Sequence, residues 1–446
     1  MTAPNTAPVT REVPEQRRIL AVLALSQILS GAALAAGITV GALLAEEMLG
    51  STGLAGLPSA LFTAGAALGA VGIGRLCTRW GRRPGLALGY AVGALGSLGV
   101  VTAAALGSPA LLFPALLVYG AGTSTSLMAR YAGADLASPG RRGRAVSTVL
   151  FATTLGAVVG PTLVTVTGDV AHSWGIPRLA GPFVLAAAAF GAAAVVLAAL
   201  LRPDPLRLAQ ALAGPAAEGG GTEAGTLGTV RPDGGSAART TTPTQRRGVV
   251  VGTAVMVLTQ LVMIAVMTMT PVHMQAHGHG TQAAGMVIAL HVGAMFLPSP
   301  LTGLLVDRIG RRWVAGASGP VLLAAGVLAA VAPPHSVPAL ASALVLLGLG
   351  WNFGLISGTA IVTDALAPAQ RAATQGLVDV GISIAGAVGG MSSGLIVAGG
   401  GYPVLALAGG AVALAVVPVV AWSVRPASHT ATTTPPGAGG PEVEQA

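Results

Sequence analysis

The chain contains no lysine; all 23 of its basic residues are arginine. A base-composition bias toward GC accounts for that preference. Charge of either sign is scarce, at 9% of residues, where a soluble domain carries roughly 25%. A soluble globular protein is therefore excluded. The single cysteine, Cys77, excludes an intramolecular disulfide and any Cys-x-x-Cys metal or redox motif. No secretory cleavage pattern precedes the first apolar run. Residues 1–18 are polar, and the run from Ile19 is too long for a signal peptide, so it reads as a retained span. No catalytic constellation and no phosphate-cradling Walker pattern is present, so neither an enzyme nor an ATP-driven pump is expected, and no cofactor is called for.

What is present is apolar. Hydrophobic residues make up 53% and the mean hydropathy is +0.77. The runs are as long as a bilayer-spanning helix of about 20 residues requires. Backbone groups in lipid must be satisfied within the segment, so such runs are helices. Twelve are expected. In the first half they cover roughly 19–45, 53–77, 84–106, 109–131, 145–168 and 179–201; in the second, 248–272, 281–306, 313–332, 337–363, 370–398 and 402–424. The fold class expected is all-α and polytopic. Its parts are a tail (1–18), a six-helix half (19–201), a linker (202–247), a second six-helix half (248–424) and a tail (425–446). The linker, from about 203 to 246, is rich in Gly, Ala, Pro and Thr and reads as flexible.

A net charge of +8 raises nucleic acid as a partner. The arginines argue against it, because they sit in short loops between apolar runs. With the N-terminus placed inside, 22 arginines fall inside and only Arg178 outside. That bias puts both termini and the linker in the cytoplasm of a cell-membrane protein. Its partners are then the lipid bilayer and a small solute, with protons a candidate for coupling. A monomer is expected.

The stretch Gly303-Leu-Leu-Val-Asp307-Arg308-Ile-Gly310-Arg311-Arg312 has a near copy 229 residues earlier, Gly74-Arg-Leu-Cys-Thr78-Arg79-Trp-Gly81-Arg82-Arg83. The same offset takes Asp135 to Asp364, Arg142 to Arg371 and Gly160 to Gly389. A shared offset at separate features indicates a duplicated half, a known transporter architecture.

On these residues the chain resembles the major facilitator superfamily of secondary transporters. That family has twelve helices in two six-helix halves, and a G-x-x-x-D-R-x-G-R-R signature between helices 2 and 3 with a weaker echo between helices 8 and 9. The resemblance covers roughly 19–424. Here the quality of the two copies is inverted, because Thr78 stands where the family carries the acid. In the family that acid latches the halves in the outward-facing state. The resemblance therefore moves the expected latch toward Asp307; the alternative is that both copies only anchor tight turns. Gly156-Ala-Val-Val-Gly160-Pro161 matches the start of the family's helix 5 motif, whose later glycines are replaced by Val164 and Thr165. Support for antiport is partial, and close helix packing by small residues is the simpler role.

Seven of the eleven methionines lie within 256–295: Met256, Met263, Met267, Met269, Met274, Met286 and Met295. His273, His277, His279 and His291 are interleaved with them. Met263 and Met267 are four apart and share a helix face, as do His291 and Met295 on the next helix. Thioethers suit Cu(I) and imidazole suits several transition metals. The paired M-x-x-x-M and H-x-x-x-M patterns resemble the CcoA-like copper-importing branch. The resemblance implies copper cargo on Met263, Met267, His291 and Met295, with collection at His273, Met274, His277 and His279. Two plainer roles stay open: methionine as gap filler, and a flexible cavity for organic substrates. Proton-coupled efflux of small organic compounds is the alternative function.

Asp379 lies inside a span, flanked by Val378 and Val380. A buried acid in a membrane is costly and marks a functional candidate. It either carries a proton through the cycle or pairs with a polar group on a neighbouring helix. Asp135 with Arg141 and Arg142, and Asp364 with Arg371, are expected to staple helix ends. Gln27, Gln260, Trp351 and Asn352 are candidates for the central cavity lining.

Overall fold

The computed structural model describes residues 13–49, 57–213 and 242–422, and the account below concerns these. Almost all lie in helices, and no strand occurs among them. The first half holds α1 (Gln16–Leu49), α2 (Leu57–Trp80), α3 (Arg82–Ala105), α4 (Pro109–Ala134), α5 (Arg142–Thr162), α6 (Val164–Ser173) and α7 (Gly181–Leu200). A short helix, α8 (Pro205–Ala213), follows. The second half holds α9 (Pro243–Ala276), α10 (Thr281–Phe296), α11 (Ser299–Arg308), α12 (Arg311–Val331), α13 (Val337–Ala365), α14 (Pro368–Ala413) and α15 (Val416–Trp422).

Ten helical stretches among the described residues are long and apolar enough to cross a bilayer. The last, Pro368–Trp422, runs for 55 residues. At about 1.5 Å per residue it is more than twice as long as a ~30 Å hydrocarbon core needs. It breaks at Gly401, where φ is +81°, and so makes two crossings. The expected span 145–168 lies outside those ten; it is α5 continued by α6, interrupted at Leu163. Twelve crossings result.

The expected span 281–306 is one of the ten, Gln282–Arg308, made of α10 and α11 with a turn at Leu297 and Pro298, where a proline lacks the N–H that would continue the ladder. Two expectations are corrected. The linker is not irregular from its start, because Pro205–Ala213 is helical. Asp204 nucleates that turn by accepting hydrogen bonds from the Leu206 and Arg207 amides, both at 3.0 Å. The second half begins at Pro243 rather than 248. Thr242 Oγ1 accepts from the Gln245 amide at 3.3 Å, and Gln245 Oε1 accepts from the Thr242 amide at 3.1 Å. That reciprocal cap satisfies two otherwise unpaired amides. The tails 1–12 and 423–446 and the linker residues 214–241 lie outside the described residues.

Each half has its own apolar core. One gathers Leu23, Leu86, Tyr90, Tyr119, Phe183 and Phe190 from α1, α3, α4 and α7, and takes only Ala372 from the second half. The other gathers Met256, Met263, Leu322, Leu344 and Trp351 from α9, α12 and α13, and takes Ala134, Val146 and Leu150 from the first half. The halves meet where α2 packs on α14 and α5 packs on α11. Both meetings involve the ends that carry the Gly/Arg motifs, called the arginine end below.

Candidate functional site

Each motif turns its chain at a glycine. Gly81 and Gly310 both have φ near +100°, in a region that residues with a Cβ rarely adopt. Only Gly81 separates α2 from α3, and at Gly81 a Cβ would also collide with the Asp204 carboxylate. The turns aim Arg82 and Arg311 at equivalent acids.

Arg82 Nε donates to Asp135 Oδ2 at 2.8 Å, and Arg371 Nη1 lies 3.7 Å from Asp135 Oδ1. Adding the offset to Arg82 and Asp135, and subtracting it from Arg371, gives Arg311, Asp364 and Arg142. Both of these arginines contact Asp364. Each acid thus takes one arginine from its own half and one from the other. This corrects the expected pairing of Asp135 with Arg141 and Arg142, and of Asp364 with Arg371. Closeness in sequence misled, because α5 and α14 carry their first-turn arginines across the boundary. The two clusters differ in burial. The Arg82 and Asp135 side chains are both 0% exposed, whereas Asp364 is 25% exposed. Water screens the second cluster more than the first.

Asp307 accepts from the amides of Gly143 at 2.8 Å and Arg144 at 3.1 Å, and from Arg144 Nε at 3.1 Å. It caps the first turn of α5 from the other half. Gly303 lies so close to Gly143 and Ser147 that a Cβ there would strike both. At the equivalent place, Gly74 meets Ala372 and Gly376. Thr78 donates only to its own Gly74 carbonyl, at 2.8 Å. The asymmetry has a reason. Gly143 is the second residue of α5, with its amide free, whereas Ala372 is the fifth residue of α14. An amide at that depth is already bonded within its helix, so an acid at 78 would find nothing to cap. Arg79 lies over the Trp80 ring at 5.7 Å, and Arg83 Nε donates to the Ala198 carbonyl at 2.7 Å. Arg308 and Arg312 are exposed.

Deeper in the interface, Arg130 on α4 donates through Nη2 to Asp379 Oδ1 on α14 at 2.6 Å. Both side chains are buried. Tyr131 also donates to Asp379 Oδ1, at 3.2 Å, and Arg130 Nε donates to Thr359 Oγ1 of α13 at 3.0 Å. Asp379 Oδ2 has no partner. Arg130 falls at the inner end of the expected span 109–131, where the orientation argument counts it with the inside arginines; it is wholly buried.

Two cavity candidates are committed elsewhere. Gln27 Nε2 donates to the Ser126 carbonyl at 3.0 Å and to Thr153 Oγ1 at 2.9 Å, and Tyr90 donates to its Oε1 at 2.5 Å. Asn352 Nδ2 donates to the Met295 carbonyl at 2.7 Å and to Ser299 Oγ at 2.8 Å. Both are inside helix packing. Trp351 Nε1 donates to Gln260 Oε1 at 2.7 Å, and this pair is less enclosed. At the α1–α5 contact, a Cβ on Gly156 would overlap the Ile28 carbonyl. Gly160 and Pro161 are helical, but their side-chain surroundings lie outside the described residues.

Met263 and Met295 are buried in the second core, with Met267 packed against it. His291 is fully buried; its Nδ1 lies 2.8 Å from the Leu344 carbonyl and its Nε2 has no partner. The helix carrying His291 and Met295 packs mainly on α13 and more lightly on α9. Met274 is fully buried, so it is not an accessible collecting ligand. The histidines beyond it are not, and sequence reasoning missed a fourth among them, His335.

Two like halves with separate cores, tied at one end by duplicated arginine–acid clusters and inside by one ion pair, define a polytopic membrane protein of the two-repeat transporter class. The Major Facilitator Superfamily model matches residues 23–298 and 253–444, and the chain belongs to that superfamily. It is 55% identical over 407 residues to the "uncharacterized MFS-type transporter YdeG" of Bacillus subtilis, covering 91% of this chain and 92% of that one. It is 32% identical over 371 residues to the riboflavin transporter RfnT of Brucella anthropi, covering 81% and 85%. The fold matches the human organic anion transporter MFSD10 with a TM-score of 0.69 at 17% identity, over 92% of this chain and all of that one. The protein is a secondary transporter and not an enzyme.

Proposed function

We propose that the chain moves a small organic solute by proton-coupled alternating access, with the Arg130–Asp379 pair as the coupling element. The single observation that carries this reading is the position of the pair. It joins α4 to α14 across the two halves, fully buried, with one carboxylate oxygen left unpartnered. A proton on Asp379 releases Arg130 and loosens the halves; deprotonation draws them together. An organic cargo is supported by the similarity to a riboflavin transporter. The arginine end faces the cytoplasm, as the placement of the arginines implies. Asp307 and the Asp135 and Asp364 clusters then form the cytoplasmic latch, a reading supported by their contacts across the two halves.

Copper import on Met263, Met267, His291 and Met295 is the second reading, favoured by the unpartnered His291 Nε2, a ready ligand nitrogen. Purified protein in liposomes separates the two. The proposal expects a pH gradient to drive accumulation of at least one compound from a panel of riboflavin and other small organic solutes, and Asp379→Asn to abolish it. Accumulation of Cu(I) alone, lost in Met263→Ala and His291→Ala, would replace it with copper transport.

A further inference from the structure

We propose that the end of the second half opposite the arginines carries a transition-metal site made by His273, His277 and His335. The site is independent of the cargo reading. His273 and His277 are four residues apart at the close of α9, and their rings lie 4.3 Å apart. Two histidines at that spacing share one helix face, as in helical zinc motifs. His277 Nδ1 lies 2.8 Å from the His273 carbonyl, which leaves Nε2 as its ligating nitrogen. His335 comes from the turn between α12 and α13, with its ring 6.0 Å from that of His277.

Two features hold these turns in register. His279 Nε2 lies 2.9 Å from the carbonyl of Pro334, the residue next to His335. The His273 ring stacks on Tyr402 at 4.4 Å and 15°, and the Tyr402 hydroxyl is 2.9 Å from Thr270 Oγ1. The stack orients the His273 ring and leaves its nitrogens free. With metal–nitrogen bonds of about 2.0–2.1 Å, two imidazoles on one tetrahedral ion have ring centres roughly 5.2 Å apart. The observed 4.3 and 6.0 Å straddle that value. Among the described residues no three His, Cys, Asp or Glu side chains are placed to hold a metal ion as they stand. A site here requires the His335 side chain, exposed on its turn, to turn toward His273 and His277 when the ion binds. An all-imidazole donor set selects Zn²⁺, Cu²⁺ or Ni²⁺ over Mg²⁺ or Ca²⁺. A bound ion would brace α9 against the α12–α13 turn and, through Tyr402, against the break at Gly401.

The test is titration of tag-free protein in detergent with ZnCl₂ by calorimetry, and with CuSO₄ by electron paramagnetic resonance. One ion per chain is expected, with at least two nitrogens coupled to Cu²⁺ in the wild type. His277→Ala and His335→Ala should each weaken Zn²⁺ binding by roughly tenfold or more, since even an outer-sphere partner is worth that much. His172→Ala should leave it unchanged. Binding should fade as the pH is lowered, because only neutral imidazole ligates. Wild-type Cu²⁺ spectra without nitrogen coupling overturn the proposal, as does Zn²⁺ affinity unchanged in either variant. Neither outcome depends on which solute is transported.

Discussion

Replacing Asp379 with asparagine keeps the size of the side chain and removes its charge. Arg130 is then left buried with neutral acceptors only: the Leu127 carbonyl at 2.5 Å, the Tyr131 hydroxyl at 2.9 Å and Thr359 Oγ1 at 3.0 Å. Removing one partner of a buried ion pair costs about 3–5 kcal/mol. The surviving neutral contacts favour the lower figure. At about 1.4 kcal/mol per tenfold, a cost of about 3 kcal/mol shifts an equilibrium roughly a hundredfold. The cost falls on the state in which α4 and α14 are joined, so opening at the arginine end should rise by that factor. Spin labels at Thr148→Cys on α5 and Leu305→Cys on α11 report it, both positions being exposed and on opposite halves. The native Cys77 is buried and does not compete for label. Pulsed dipolar distances should broaden to longer values in Asp379→Asn. Arg130→Gln alone should do the same, leaving an unpaired buried acid. The double variant should be closer to wild type than the sum of the two, because no lone charge remains. Unchanged distances in Asp379→Asn, or strict additivity in the double variant, would refute the reasoning.

Two further outcomes are expected at the arginine end. Asp307→Ala should cost about 1–2 kcal/mol, the worth of a helix N-cap, because the half-exposed Arg144 adds little through its screened ion pair. Thr78→Asp should bring no matching gain; thermal melts of both variants check the contrast. Gly81→Ala should lower the melting temperature more than Gly310→Ala. Both suffer backbone strain of about 1–3 kcal/mol, and only the first also drives a Cβ into Asp204. Equal melting temperatures would count against the Asp204 contact.

Much of the fold was legible in the sequence because lipid leaves an apolar run little choice but helix. The duplication was legible as well, since one offset links Gly81 to Gly310, Asp135 to Asp364 and Arg142 to Arg371. The break at Gly401 was legible too, falling between the expected spans 370–398 and 402–424; the breaks at Leu163 and at Leu297 and the helix Pro205–Ala213 were not. They depend on local caps and kinks within or beside otherwise permissive composition. The candidate site was legible as residue types and not as pairs. Asp379 stood out as a charge in a span, while its partner Arg130 read as one of the inside arginines because it lies at the close of α4. Gln27 and Asn352 read as cavity groups because a polar residue in a span has two fates, lining or packing, and only its neighbours select between them.

The sequence by itself determined the class, the two halves and the asymmetry between Thr78 and Asp307, all properties of order and spacing along one chain. Only the tertiary structure decided which charges meet. Asp135 takes Arg371 and Asp364 takes Arg142 because each acid lies at the boundary, where the first turn of a helix from the opposite half arrives. It also decided why the asymmetry is tolerated. An acid is stabilised where a helix presents a free amide, as α5 does at Gly143 and α14 does not at Ala372.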